Sequence, residues 1–150
     1  MKAAIADLLA LSPSEIPTFT QLTALAACCR GAVRALPLDR VAAAADLLAR
    51  HPALLAGRSL SAQRLAELTD LVARVTGRRT RCLVRSLLLF ALLRARGEEI
   101  ALVVGVARRG DGLEGHAWIE RGSEVVGEAL PEGRFTPMLR LAGEAGTSRR

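Results

Sequence analysis

The chain has 150 residues, enough for one domain with a sizeable core. It is 51% apolar but only 3% aromatic, so the core must be mostly Leu, Ala and Val, and the composition excludes disorder. A formal net charge of +6 suits an acidic partner, but the arginines are scattered from Arg30 to Arg150 and stacking aromatics are nearly absent, which argues against nucleic acid.

In chain order, the opening MKAAIADLLAL is apolar but broken by Asp7, with no small-residue cleavage site after it, so it does not read as a secretory signal. Phe19 to Leu36 predicts a first helix, stopped by Pro37. Asp39 is placed to cap a second, Arg40 to Arg50, whose end Pro52 and Gly57 mark. Ser59 or Ser61 caps a third, with Leu65, Leu68, Leu71, Val72 and Val75 at helical spacing and Gly77 at its end. The fourth runs from about Thr80 to Arg96, with Gly97 suited to a left-handed position just beyond. The period then changes. IALVVGVA, 100 to 107, predicts a buried strand, and RRGDGLEG, 108 to 115, a polar glycine-rich loop. HAWIE and VVGEAL predict two strands joined through RGSE as a hairpin. After Pro131 periodicity is lost and the end is expected to fray. Helices followed by a small antiparallel sheet make an α+β fold.

Three cysteines, with Cys28 and Cys29 adjacent, imply free thiols in a reducing cytoplasm. No stretch reaches the roughly 18 to 20 uncharged apolar residues of a membrane span. His51, before Pro52 at a helix end, reads as a cap or surface residue. Cys82 and His116 each read, taken alone, as core residues. Together they read differently. A thiol is nucleophilic only as thiolate, which a helix N-terminus and nearby cations favour. Cys82 begins the fourth helix with Arg78, Arg79, Arg81 and Arg85 close in sequence. Such a thiol needs a base and a group to orient it. His116 is the one histidine in the strand-bearing half, and Glu128 follows on the next strand. A two-residue Gly122-Ser123 turn would pair His116 with Ala129 and put Glu128 on the other face, whereas a three-residue loop or a bulge would pair His116 with Glu128. The sequence leaves both registers open.

The order of these parts resembles the papain-like transglutaminase superfamily. The local words CLVRSLLLFALLRARG, GHAWIE and VVGE are similar to the transglutaminase-like leader peptidases of lasso-peptide biosynthesis, over residues 78 to 130. The resemblance implies a cysteine peptidase with catalytic Cys82 and His116. Where that family usually has aspartate, twelve residues beyond the histidine, this chain has Glu128, with Glu120, Glu124 and Glu132 as fallbacks. The backbone N–H of Cys82 is a natural oxyanion donor. The chain is then expected to divide into a helical docking region over 1–77 within the same compact unit, a transglutaminase-like catalytic core over 78–140 and, where periodicity is lost, a flexible tail over 141–150. No metal or cofactor is implied. Partners would be a leader-bearing precursor peptide, a separate leader-recognition protein, since 1–77 shows no strand pattern, and the ATP-dependent cyclase. Two other readings compete: a non-catalytic helical adaptor, and a transglutaminase-type acyltransferase.

Overall fold

The computed structural model describes residues 7–51, 57, 59–76, 81–131 and 133–142. Its elements are α1 (Ile16–Ala35), α2 (Leu38–Ala49), α3 (Ala62–Thr76), α4 (Arg81–Ala95), β1 (Ala101–Arg109), β2 (Gly112–Arg121), β3 (Glu124–Val126) and β4 (Thr136–Ala142). The fold is α+β, as expected. The strands form one antiparallel sheet in the order β3-β2-β1-β4.

The helix terminators act much as the sequence implies, with one correction. Pro37, not Asp39, occupies the N-cap of α2, and Asp39 lies inside the first turn, where a carboxylate favours the positive end of the dipole. Of the two serines, Ser61 caps α3, its hydroxyl accepting the Arg64 N–H at 3.1 Å. At the end of α4, Gly97 has φ +79, Glu98 N–H bonds the Leu93 carbonyl and Gly97 N–H bonds that of Arg94. This is a Schellman closure, and the left-handed residue it needs is the predicted glycine. Gly77, Thr80, Pro52 and the arginines Arg78 and Arg79 lie outside the described residues.

α4 is apolar on every side and is buried accordingly, from Val84 through Leu93 without interruption. It lies between the other helices and the sheet. Leu22, Leu65, Leu68, Val72, Leu87 and Phe90 share one core with Leu102, Ile119 and Val126. The opposite face of the sheet has its own cluster, with Trp118 and Phe135 over Ala101 and Val103. That is why β1 reads as a continuous apolar run: both of its faces are covered.

Two strand expectations fail. The segment 108 to 115 is not a loop but a tight hairpin, pairing Arg108 with Leu113 and Arg109 with Gly112 across Gly110, at φ +58, and Asp111. His116 therefore sits within β2. The chain after Pro131 does not simply fray either, because β4 pairs with β1 as far as Ala142 against Ala101. Its residues are mostly exposed, so it lacks the apolar alternation that would have marked it. Residues 141 and 142, assigned to a tail, belong to this strand, and 143–150 lie outside the described residues.

Candidate active site

Cys82 opens α4, half-buried, one residue into the helix. The other two thiols lie in α1. Cys28 is exposed, and burial pushes the Cys29 thiol up to about 11. At Cys82 burial also pushes the thiol up. It is outweighed by hydrogen bonds from His116 and from the backbone N–H groups of Ala117 and Leu83, and by the charge of His116, so the net shift is downward.

His116 is held from several sides. It shares a hydrogen bond with Cys82, and its Nε2 lies 2.8 Å from Glu128 Oε2. These two bonds raise the imidazole to about 9, the Cys82 contribution being the larger and burial opposing both. With Nε2 turned to Glu128, Nδ1 is the nitrogen left for the thiol. The ring stacks on Phe135 at 5.1 Å and on Trp118 at 6.1 Å between centroids. Trp118 is fixed in turn by its indole N–H, which donates to Glu120 Oε1 at 2.7 Å. Gly105 across from His116 has to be glycine on steric grounds. A Cβ there would stand 2.7 Å from the Trp118 ring and 2.7 Å from the Thr136 carbonyl oxygen.

Glu128 reaches His116 by a route the register argument did not foresee. The hairpin has the two-residue register, Arg121 opposite Glu124 and Ile119 opposite Val126. Continued, that ladder would put Glu128 on the other face from His116. It is not continued. β3 ends at Val126, and Gly127 at φ +77 turns the chain out of the sheet, so the carboxylate comes round the edge of β2. No larger residue fits this turn, because a Cβ on Gly127 would lie 2.5 Å from that of Ala66 in α3.

Ala117 has β1 on one side, but the short β3 leaves its other side without a strand, and α4 takes over there. Ala117 N–H bonds the Cys82 sulfur, and its carbonyl accepts the buried Ser86 hydroxyl at 2.8 Å, one helical turn further on. Arg85, between them, is redirected from its expected role beside the thiol. Its Nη1 donates to Glu128 Oε1 at 2.6 Å and its Nη2 to the Gly127 carbonyl at 2.6 Å. Burial pushes the Glu128 carboxyl up, but His116 and Arg85 together hold it below the usual carboxylate range.

The structure thus brings Cys82, His116 and Glu128 into one hydrogen-bonded line. Of the fallback acids, Glu120 bonds Trp118 and Arg140, Glu124 is exposed opposite Arg121, and Glu132 lies outside the described residues. His51 is exposed at the end of α2, far in sequence from this cluster. Sequence reasoning missed Ser86, Phe135 and the function of Gly127. Only the glycine carried a signal, as a break inside VVGEAL.

A comparison with protein families settles the broader relationship. Residues 9–140 match the transglutaminase-like superfamily. The chain belongs to that superfamily. The match spans the helices as well as the sheet. Members of this superfamily are typically cysteine peptidases or acyltransferases. No curated protein and no solved structure matches the chain. No helix among the described residues is long and apolar enough to cross a membrane.

Proposed function

We propose that this protein is a cysteine peptidase that removes the leader segment from a ribosomally made lasso-peptide precursor. The observation that carries the catalytic part is the line Cys82–His116–Glu128 at the N-terminus of α4, with the thiol shifted down and the imidazole up. A lowered thiol and a raised imidazole favour the thiolate–imidazolium pair over two neutral groups. The thiolate attacks the carbonyl carbon of the scissile peptide bond, and His116 gives its proton to the departing amine. Water then hydrolyses the acyl-enzyme, with His116 as base and Glu128 steadying the charged ring. The leader-peptidase part is supported by the resemblance of CLVRSLLLFALLRARG, GHAWIE and VVGE to such enzymes.

Recognition of the leader is assigned to a separate protein. The described residues before α4 form helices and no strand, whereas fused relatives carry a strand-bearing recognition domain. The released product would pass to an ATP-dependent cyclase, and a cytoplasmic setting would keep Cys82 reduced.

The test is cleavage of a precursor peptide by single-cysteine variants. Cys82→Ala is expected to abolish cleavage with the fold intact, whereas Cys28→Ala and Cys29→Ala retain it. Normal cleavage by Cys82→Ala overturns the assignment. Incorporation of an added amine in place of water would move the reaction to acyl transfer. A Cys82 that resists iodoacetamide at neutral pH would favour the non-catalytic adaptor.

A further inference from the structure

Arg85 follows Cys82 by three positions on α4, so the two side chains leave the same face of the helix. It is 7% exposed, and its guanidinium bridges the Gly127 carbonyl and Glu128 Oε1. The other oxygen of that carboxylate, Oε2, is on His116 Nε2. Arg85 and His116 therefore divide the two oxygens of one carboxylate between them. The Nε of Arg85 has no hydrogen-bond partner among the described residues.

A buried guanidinium with one donor unmet is a poor stabilising device, since desolvation offsets much of what its pairing gains. Its geometry suits another task. A planar fork holds two acceptors in fixed relation, which neither a lysine nor an apolar side chain does. The site has a particular need for such a hold. The strand has ended, the backbone at Gly127 is left-handed, and Glu128 has one more rotatable bond than the aspartate usual at this place.

We propose that Arg85 is a positioning residue: by tying Glu128 to the Gly127 turn, it keeps Oε2 on His116, and through His116 it sets the reactivity of Cys82. This rests on the reading of Cys82 as a nucleophile and adds a residue to that machinery. Arg85 acts on the thiol through the carboxylate, and its own charge is spent on Glu128.

The test is the pH dependence of iodoacetamide alkylation, read at the Cys82-bearing peptide by mass spectrometry so that Cys28 does not obscure it. Four proteins are compared: the parent, Arg85→Met, Glu128→Gln and the double variant. The parent should react with an acid limb well below that of an ordinary thiol. Each single substitution should raise that limb by about 1 pH unit, because it loosens the His116 hydrogen bond and charge that hold the thiol down. The double variant should go no further than either single one, because both break the same connection. Arg85→Lys, which keeps the charge but not the fork, should lie between parent and Arg85→Met. If Arg85→Met leaves Glu128 unpaired and fails to fold, Arg85→Lys with and without Glu128→Gln makes the same comparison. Additive shifts would mean that Arg85 acts on the thiolate directly, and overturn the proposal. A low parental limb that no Arg85 substitution moves overturns it while leaving Cys82 as the nucleophile. An ordinary limb in the parent overturns both.

Discussion

At the level of single residues, the site depends on a chain of opposed shifts. Glu128 is held ionised by His116 and Arg85, His116 is held protonated by Cys82 and Glu128, and the thiol is lowered by His116 and two backbone donors. Removing the Glu128 charge therefore affects the histidine first. Glu128→Gln should lower the maximal cleavage rate by one to several orders of magnitude, on the scale of the roughly 10⁴-fold loss seen for a serine-protease triad carboxylate. Substrate binding should change little, and Glu128→Asp should keep partial activity. Measured kcat and KM for precursor cleavage check this, with Glu124→Gln as a control, since Glu124 is exposed and opposite Arg121. The pH dependence has a definite sign. His116 at about 9 in the fold lies above its ordinary 6.5, so the stability it contributes is full below 6.5 and lost as pH rises through about 9. Cleavage should fall over the same alkaline range as the leaving amine loses its proton donor. In Cys82→Ala the largest cause of the raised value is gone, and an NMR titration of His116 should find its midpoint well below 9. A midpoint that stays put would show that the thiol and ring are not coupled.

Among the elements, two local features set the site: the early end of β3 and the register of α4 on β2. Gly127 makes the first possible, with a left-handed φ and no room for a Cβ beside Ala66. Gly127→Ala should destabilise the fold by about 1 kcal/mol or more, because it strains the turn and forces α3 and β3 apart. It should also depress activity beyond the loss of folded protein, which thermal melts and the active fraction together would separate. Wild-type activity in a folded Gly127→Ala protein would mean that the turn is incidental. Ser86 makes the second. Its hydroxyl satisfies the Ala117 carbonyl inside the core, so Ser86→Ala should cost about 1–3 kcal/mol as an unsatisfied buried acceptor. Equilibrium unfolding in urea measures that loss directly.

For the molecule as a whole, the helices and the sheet share one core through α4, and the superfamily match runs across both. Such a unit should unfold in one step. Trp118, the sole tryptophan, reports the sheet beside His116, while far-UV dichroism reports mainly the helices. The two should give coincident melting curves. A separate earlier helical transition would show that α1 to α3 form an independent piece. Function at this scale follows from what the chain supplies and what it leaves to others. If leader recognition lies on a separate protein, as proposed above, cleavage by this chain alone should be slow and should rise strongly when that protein is added. Full cleavage without any partner would count against the division of labour.

Periodicity and terminators determined the helices on their own. Pro37, Ser61 and Gly97 act on the backbone within a few residues, so their effect is readable locally. The same holds for Cys82 at a helix N-terminus and for the strand that bears His116. β4 was hidden because its exposed residues alternate with nothing, and pairing with β1 alone makes it a strand. The third site residue shows the limit most clearly. From the sequence, Glu128 could serve His116 only through a three-residue loop or a bulge. The protein adopts the two-residue register and still brings the two together at 2.8 Å. What decides it is the space beside Ala66, which admits only a glycine at 127, and a buried arginine one helical turn from the cysteine. Those contacts join residues some 40 to 60 positions apart. Local patterns carry the dihedral preferences of a segment, but which distant surface closes over it is fixed only when the core packs.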